Sequence, residues 1–458
     1  MKKALLGAAA GLLALSLAAC GGPTSTGVGS SGAPGPDALH DAKGVTEITF
    51  WHGLGGANGE ALDKLIAQFN SENEGSIKVD SSFQGSYADL LAKYTAGLRD
   101  DSTPTVLLAG DIASGYLHDV QRSVSPERMA AANPDDLNLD EIRAAGTNYY
   151  SSNGELFAVP LNMSTPVLWV NTDLLAAAGV DPQADLSTLD DMAAAAKKVT
   201  ATTGVAGLVE PFDGWWFEQL TAASGNVYCA KDNGRGKTGQ ATSISLTKPA
   251  QIAAFKTVAD LYTSGAGLDV GVDGNAALTA FTAGQVGMMF NSSGAAGGIS
   301  AAKVPFGYTA VPYPISGDKT VAGPVVGGSA MWLSSTATDA QKVAGWKLES
   351  FLASAQAQEP FAQATGYIPV NTAVDTSSTR TSYLQENPLA KVFVDQVDDA
   401  PKTDVTAGCL SGAMTAIRAA VVPQMQAAFT GSISLDDALE NAEQAANKAI
   451  DQYREQLG

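Results

Sequence analysis

Several stretches of the chain have residue types that catalysis or metal binding could use. Residues 53–59 (GLGGANG) lie between a strand pattern and a helix pattern, as a dinucleotide loop does, but their glycines are spaced G-x-G-G-x-x-G and no suitably placed acidic ribose contact follows. His40, His52 and His118 are the only histidines, and no H-x-x-x-H, C-x-x-C or G-x-S-x-G pattern occurs. The sequence therefore disfavours a nucleotide enzyme, a metal site and the usual α/β hydrolase, and it predicts no cofactor. A secreted hydrolase with two catalytic carboxylates stays open, because sequence cannot measure the distance between two acids.

Strand and helix patterns alternate along the chain, and these elements must position any site. Residues 46–51 alternate as a strand does, and residues 60–70 repeat apolar side chains at helical spacing. The pair recurs at 76–80 and 87–98, and the continuous apolar run at 105–109 indicates a buried strand. We therefore expect an α/β fold with a largely parallel sheet. Later patterns predict helices at 189–200, 249–264, 339–355, 411–429 and 435–456, and strands at 286–290, 306–311 and 330–333.

The N-terminal residues indicate export. Lys2 and Lys3 precede an apolar run over residues 4–19 that ends in the tetrad LAAC at 17–20. At about 1.5 Å per helical residue this run is too short to cross a hydrocarbon core of about 30 Å, so it predicts a secretory signal. The tetrad resembles the lipobox of bacterial lipoproteins. On that resemblance residues 1–20 are a signal peptide, and Cys20 becomes an acylated N-terminus that anchors the extracytoplasmic protein to the cell membrane.

Composition limits the character of the chain beyond the signal peptide. Residues 21–45 are rich in Gly, Pro, Ser and Thr, which predicts a flexible tether. The formal net charge of −20 repels nucleic acid, so nucleic acid is not an expected partner. Cys229 and Cys409 follow Cys20, and sequence leaves open whether they form a disulfide or stay buried thiols. The remaining length suits two or three lobes.

Five segments carry a pattern that extends over nearly the whole mature chain. They are FWH at 50–52, AQFNSENEGSIKV at 67–79, NMSTPVLWVNTDLLAAAGVDP at 162–182, VVGGSAMWL at 325–333 and ATGYIPVNTAV at 364–374. Their order and spacing resemble the extracellular solute-binding proteins of ABC importers in the carbohydrate-binding group, and within it the family that binds glycerol-3-phosphate and glycerophosphodiesters. The resemblance implies a type II periplasmic-binding-protein-like fold, with two α/β lobes and a ligand cleft between them. It also implies a monomer that delivers a small polar solute to an ABC permease and does not act as an enzyme.

The same resemblance implies a set of ligand residues. They are Tyr87 after Gly85-Ser86, Asp111 beyond the third strand, Ser164 in Ser-Thr-Pro, Trp215 and Trp216 after Gly214, Ser292 in Ser-Ser-Gly, Gly328 in Gly-Gly, Tyr367 after Gly366, and Arg418 in a late helix. Two positions depart from the family. Asp111 stands where Glu is commoner, and Phe212 in the aromatic segment lacks the indole N–H of a tryptophan.

The chemistry of these residues suits a phosphorylated glycerol. Ser292, Tyr367 and the Gly328 N–H can donate hydrogen bonds to a phosphate, and Arg418 can add a bidentate contact. Asp111 can accept hydrogen bonds from a diol. Trp215 or Trp216 can cover a C–H face or a choline head group.

Structural roles and a second ligand class stay open for the same set. Ser164, Ser292 and Asp111 could instead serve as caps of helices and turns. Gly328 could serve only close packing, and Tyr87 could be a core residue. Arg418 lies in an otherwise apolar helix, so it needs a partner, which is either the ligand or a carboxylate of the protein. An oligosaccharide is the rival ligand, because stacked aromatic rings and carboxylates also bind sugars.

The resemblance gives a division of the chain. We expect lobe one at residues 46–160 and 292–340, and lobe two at residues 161–291 and 341–458. The site assignment requires Tyr87, Asp111, Ser164, Trp215 and Arg418 to line one cavity.

Overall fold

A computed structural model of the protein describes residues 33–181, 183–236 and 239–457. The predicted signal peptide, Cys20 and the first part of the predicted tether lie outside these residues. Within the described ranges no helix combines the length and apolar character that crossing a bilayer requires.

The strands are β1 Thr46–His52, β2 Ile77–Phe83, β3 Val106–Gly110, β4 Ser151–Ser152, β5 Glu155–Leu156, β6 Val159–Ser164, β7 Pro166–Asn171, β8 Ala206–Val209, β9 Gly267–Leu268, β10 Val286–Ser292, β11 Tyr308–Pro312 and β12 Gly327–Leu333. The α-helices are α1 Asp37–His40, α2 Gly56–Glu72, α3 Tyr87–Gly97, α4 Ser114–Val120, α5 Pro126–Ala132, α6 Ala144–Tyr149, α7 Thr172–Ala177, α8 Leu189–Thr203, α9 Gly214–Ala223, α10 Ala230–Asn233, α11 Pro249–Thr263, α12 Gly274–Thr282, α13 Ala296–Ala302, α14 Asp339–Ala353, α15 Ala355–Thr365, α16 Ser378–Glu386, α17 Pro388–Asp399, α18 Asp404–Ala407, α19 Met414–Phe429 and α20 Leu435–Leu457. Short 3₁₀ turns lie at Asp111–Ala113, Leu139–Glu141, Ser293–Ala295 and Thr372–Thr376.

The first sheet has the strand order β2-β1-β3-β12-β6. Strand β1 pairs in parallel with β2 and β3, whereas β12 is antiparallel to both β3 and β6. Strand β3 is buried along its whole length, as its continuous apolar run predicted. Helices α2, α3, α14 and α15 pack around this sheet, and Phe50, Leu107 and Trp346 lie in the core that they share. These elements form lobe one.

The second sheet has the strand order β11-β7-β10-β8-β9. Strand β10 is antiparallel to β7 and parallel to β8, and β11 is antiparallel to β7. Helices α8, α9, α11 and α19 build its core, which contains Phe212, Phe255 and Ile417. These elements form lobe two. Each sheet is therefore mixed, and the expectation of a largely parallel sheet is correct only for part of each.

The chain passes between the lobes at three places. It crosses first at Thr165, between β6 and β7, and crosses back over residues 313–326, between β11 and β12. It returns after the turn Thr372–Thr376, because α17 packs against β11. Three crossings leave the lobes joined along one side and separated by a cleft.

The predicted lobe boundaries are wrong at three places, the smallest at residues 161–164, which were expected in lobe two but end strand β6 of lobe one. Strand β11, expected in lobe one, belongs to lobe two because it extends the second sheet alongside β7. Helices α14 and α15, expected in lobe two, pack against the first sheet and α2. The crossing points depend on pairing between strands that are distant in sequence, which periodicity does not report.

The predicted tether is too long at its C-terminal end. Residues 37–40 form helix α1, which packs against α14, and Asn133 Nδ2 donates a 3.0 Å hydrogen bond to the Pro34 carbonyl. Ala33 and Leu39 supply apolar contacts with the core of lobe one, which the low overall apolar content of this stretch concealed. The folded region therefore begins by residue 33.

Cys229 and Cys409 form a disulfide with Cα atoms 5.5 Å apart. Cys229 follows α9 and Cys409 precedes α19, so the bond joins the segments that flank these two neighbouring helices. This resolves the alternative that the sequence left open.

Glu349 is a buried acid on α14 with 1% of its surface exposed. Its Oε1 atom has no hydrogen-bond partner among the described residues. Burial raises the pKa of this carboxyl from 4.5 to about 8. The folded protein therefore retains a proton that the unfolded chain loses above about pH 4.5.

We predict that Glu349→Gln removes a pH-dependent loss of stability. Because the pKa is raised in the folded state, wild-type stability should fall as pH rises from about 4.5 to about 8, at up to about 1.4 kcal/mol per pH unit. The glutamine variant should be the more stable protein near pH 8, measured as the free energy of unfolding in urea. Equal pH slopes for the two proteins would contradict this interpretation of Glu349.

Candidate ligand-binding cleft

A cavity of about 510 Å³ lies between the two lobes. Its lining includes eight of the nine predicted ligand residues: Tyr87, Asp111, Ser164, Trp215, Ser292, Gly328, Tyr367 and Arg418. The same wall contains polar and small residues that the sequence did not single out: Asp213, Gly274, Asn275, Asn291, Gly294 and Gly327. Tyr87, Asp111 and Gly328 come from lobe one, whereas Trp215, Ser292 and Arg418 come from lobe two.

Two glycines hold the ring of Tyr87 at the cavity wall. A Cβ atom on Gly53 would lie 2.7 Å from Tyr87 Cδ1, and one on Gly110 would lie 2.8 Å from Cδ2. The ring therefore fits only because neither position has a side chain. The helix start is fixed separately, because the Ser86 hydroxyl caps the Asp89 N–H of α3. The glycine-rich loop at 53–59 thus packs against a tyrosine.

Asp111, Ser164 and Trp215 converge on Gly327. A Cβ on Gly327 would lie 3.0 Å from Ser164 Oγ, 3.3 Å from Trp215 Cζ2 and 3.5 Å from Asp111 Oδ2. Asp111 Oδ1 accepts a 2.8 Å hydrogen bond from the Ile112 N–H, which leaves Oδ2 on the cavity side. Trp215 Nε1 is buried and has no hydrogen-bond partner within the described part of the chain. The cluster therefore offers one carboxylate oxygen, one hydroxyl and the face of an indole ring.

Arg418 makes a buried ion pair with Glu218. Its Nε donates to Glu218 Oε1 at 2.6 Å and its Nη2 donates to Oε2 at 3.2 Å. The two side chains are 19% and 8% exposed. The pair joins α19 to α9, and the carboxylate is the partner that an arginine in an apolar helix requires.

Gly214 allows this close approach. A Cβ on Gly214 would lie 2.3 Å from Arg418 Cγ, so any larger residue would displace the arginine stem. Asp213, one residue earlier, caps α9 by accepting a 2.7 Å hydrogen bond from the Trp215 N–H. Asp213 therefore caps the N-terminus of α9, and Gly214 leaves space for the side chain of Arg418.

Three carboxylates surround Arg418, the one arginine among the described residues of the cavity wall. Burial raises the pKa of Asp111 and of Asp213, and the nearby Arg418 charge opposes both shifts. Burial also raises the pKa of Glu218 to about 6, again against the effect of Arg418, so this group is largely ionised at pH 7. Burial disfavours the Arg418 cation, but Glu218, Asp111 and Asp213 outweigh it and raise the arginine pKa. The cavity therefore carries more acid than base.

Ser292 and Tyr367 have structural contacts in addition to their place on the cavity wall. Ser292 Oγ accepts a 3.1 Å hydrogen bond from the Gly294 N–H and so caps the following turn. The Tyr367 ring stacks on Phe361 with centroids 6.2 Å apart. Each side chain is thus fixed by the protein while it lines the cavity.

Trp216 does not line the cavity, and its predicted place there is wrong. It is 2% exposed and stacks on Phe290, with Tyr313 on a neighbouring side. Consecutive residues of a helix point about 100° apart, so only one of two adjacent tryptophans can face the cleft. Trp215 faces the ligand cavity and Trp216 packs in the core of lobe two.

Sequence reasoning missed Glu218 and Asp213, although a signal was present for both. Glu218 is a lone acid in the apolar helix α9, as Arg418 is a lone base in the apolar helix α19. Lone opposite charges on two buried helices are natural partners. Asp213 precedes Gly-Trp at a helix start, where Asp is a preferred cap.

A larger cavity of about 730 Å³ is lined by other residues, which include Glu127, Asp140, Arg235, Lys402 and Asp404. No aromatic residue is among its described lining. Arg235 donates to the carbonyls of Gly408, Tyr149 and Ser151, and Lys402 donates to carbonyls at the end of α17. Both cations therefore hold the fold together. Over the described ranges no group of three or more His, Cys, Asp or Glu side chains is placed to hold a metal ion.

Comparison with known proteins agrees with this fold. Residues 64–391 match the model of the family described as bacterial extracellular solute-binding protein. The chain is 26% identical over 421 residues to the sn-glycerol-3-phosphate-binding periplasmic protein UgpB of Escherichia coli (strain 536 / UPEC), which covers 91% of this chain and 95% of the relative.

Solved structures show the same two-lobed architecture. UgpB from Mycobacterium tuberculosis in complex with glycerophosphocholine superposes with a TM-score of 0.74 at 20% identity, over 89% of this chain and 99% of that chain. The cyclic α-maltosyl-1,6-maltose binding protein from Arthrobacter globiformis gives 0.73 at 22% identity, over the same shares. The architecture is the type II periplasmic-binding-protein fold, and the chain belongs to the bacterial extracellular solute-binding protein family.

Proposed function

We propose that this protein captures a glycerophosphodiester outside the cell and delivers it to the permease of an ABC importer. The observation that carries the proposal is the composition of the cleft. One arginine, several hydroxyl and N–H donors, an indole face and three carboxylates line or border the same 510 Å³ cavity. In a glycerophosphodiester the phosphate can accept from the arginine and the other donors, and the diol can donate to a carboxylate. The carbon skeleton or head group can lie against the indole face.

Charge favours a diester over a phosphate monoester. A monoester carries nearly two negative charges at pH 7, whereas a diester carries one. Arg418 is already paired with Glu218, and Asp111 and Asp213 add negative charge nearby. A dianion in this cleft would be short of cationic partners. A monoanionic diester, or one with a cationic head group, meets less repulsion.

Each part of a glycerophosphodiester has a candidate partner. Ser292 and Tyr367 carry hydroxyl donors for phosphate oxygens, and the Gly328 N–H adds a backbone donor. Asp111 Oδ2 can accept hydrogen bonds from the glycerol diol. The Trp215 ring can cover glycerol carbons or attract a choline group by cation–π interaction.

A sugar or oligosaccharide is the second candidate. Trp215 beside Asp111 and Asp213 is an arrangement that also suits a stacked pyranose with hydrogen-bonded hydroxyls. A solved protein of the same fold is named for binding a cyclic maltosyl-maltose. A neutral sugar can accept hydrogen bonds from Arg418 but brings no charge to match its cation, and for that reason we place it second.

The proposed role includes binding without turnover, a membrane anchor and action as a monomer. Nothing in the cleft pairs a nucleophile with a base in the way that covalent hydrolysis requires, as far as the described residues go. Lipid on Cys20 would hold the binding domain near the permease while leaving the cleft open to the external solution.

Calorimetric titration of the mature protein tests the proposed ligand. We predict tighter binding of glycerophosphocholine than of glycerol-3-phosphate, by about tenfold or more, because the diester brings less negative charge into an acidic cleft. The recovered diester should be chemically intact. Tight binding of maltodextrin alone would support the second candidate, and release of free choline would support a hydrolase.

Arg418→Ala tests the contribution of the cleft cation. Hydrogen bonds to charged groups contribute about 1.5–3 kcal/mol, so affinity for the diester should fall roughly ten- to a hundredfold. Arg418→Lys should restore only part of it, because an ammonium cannot make the two-pronged contact with Glu218.

Arg143→Ala is the matched control for Arg418→Ala. Arg143 is a buried arginine that pairs with Asp375 and Asp398 and is absent from the described lining of the cleft. Both alanine variants should melt at lower temperature, but only the Arg418 change should weaken binding. Equal affinities in the two folded variants would refute the role of Arg418.

The anchor is tested by Cys20→Ser. If the cysteine is acylated, the wild-type protein should fractionate with membranes, and the serine variant should appear in the soluble extracytoplasmic fraction or remain unprocessed. Immunoblotting of the fractions measures the outcome. A soluble wild-type protein would contradict the anchor.

A further inference from the structure

We infer that Glu218 is the residue that sets the charge state of the ligand accepted by the cleft. The inference rests on the proposed phosphate-containing ligand and assigns a specificity role to a residue outside the predicted ligand set. Glu218 is buried and is absent from the described lining of the cavity, so it acts on the ligand through Arg418 and the local charge.

The geometry of the pair limits what Arg418 can offer. Glu218 occupies the edge of the guanidinium formed by Nε and Nη2. Within the described residues Nη1 has no hydrogen-bond partner, and Arg418 lines the cavity. Glu218 therefore takes the side edge of the guanidinium, and a ligand can use only the end edge, formed by Nη1 and the second N–H of Nη2. Glu218 thus removes two of the five N–H donors of Arg418 from the ligand and places a negative charge directly behind the three that remain.

The charge of Glu218 acts in the same direction. When Glu218 is ionised, its negative charge alone balances the positive charge of Arg418. Asp111 and Asp213 then add acidic groups that no cation in the described part of the cleft balances. A phosphate monoester would add two charges to this group and a diester one. The charged neighbours of Arg418 are Glu218, Asp111 and Asp213, which are all acidic. Among the described residues, no lysine and no other arginine lines the cleft. The buried negative charge of Glu218 therefore disfavours binding of a dianionic phosphate monoester more than binding of a monoanionic diester.

Glu218→Gln removes the charge at nearly constant volume. The amide oxygen can still accept from Arg418 Nε, while the net charge of the cleft rises by one. We predict that affinity for glycerol-3-phosphate rises about tenfold or more, and that the preference for glycerophosphocholine over glycerol-3-phosphate shrinks by a similar factor. Calorimetric titration of both compounds near pH 7.5, where Glu218 is ionised in the wild type, measures the two affinities.

Two further variants separate charge from geometry and from folding. Glu218→Asp keeps the charge on a shorter side chain, so it should keep the preference for the diester even if both affinities fall. Glu349→Gln neutralises another buried acid, on α14 outside the cleft, and should leave the preference unchanged. An unchanged preference in Glu218→Gln, or the same shift in Glu349→Gln, would overturn the role of Glu218.

The affinities of the wild type and of Glu218→Gln together distinguish a wrong ligand from a wrong role for Glu218. If the wild type binds neither phosphate compound, the proposed ligand is wrong. A gain of glycerol-3-phosphate binding in Glu218→Gln would even then support the charge role, and the absence of any gain would overturn it as well. If the wild type binds the diester and Glu218→Gln does not change the preference, only the inference fails.

Discussion

The buried ion pair between Arg418 and Glu218 is the interaction on which the cleft depends. Taking two charges out of water costs several kcal/mol for each ion, and a pair recovers this only with good geometry. Here two hydrogen bonds of 2.6 and 3.2 Å join the groups, and Gly214 lets the arginine stem lie directly against the start of α9. The pair fixes α19 relative to α9 and so places Trp215 and Arg418 on the same wall. The disulfide between Cys229 and Cys409 constrains the same two helices from the segments beside them.

The sheet topology explains why residues so distant in sequence meet. Three crossings of the chain bring the ends of both sheets to one cleft, so lobe one contributes Tyr87 and Asp111 while lobe two contributes Trp215 and Arg418. Small residues make room at these strand ends. Gly53 and Gly110 hold the Tyr87 ring, and Gly327 leaves space between Asp111 and Ser164. The result is a polar cavity whose side chains are held by contacts within the protein, an arrangement that lowers the entropy cost of binding.

Much of this could be predicted from the sequence, but only where local pattern or motif carries the information. The buried strand β3, the alternating β1 and helices such as α8 and α11 follow from apolar spacing. The motif resemblance placed Tyr87, Ser164 and Arg418 in one cavity, as the structure shows. Pairing across long sequence distances was not accessible, so β11 and α14 were assigned to the wrong lobes. Trp216 was misplaced because helix phase, and not residue type, decides which of two adjacent tryptophans faces the cleft. Glu218 was missed because its partner lies 200 residues away.

A crystal structure of the mature protein with glycerophosphocholine tests the central claim most directly. We expect the ligand in the cavity between the lobes, with a phosphate oxygen within hydrogen-bond distance of Arg418 Nη1 and the Arg418–Glu218 pair intact. The glycerol diol should face Asp111, and Trp215 should lie against the carbon skeleton or the head group. Ligand density in the larger cavity beside Arg235 and Lys402, or a phosphate that displaces Glu218 from Arg418, would contradict this claim.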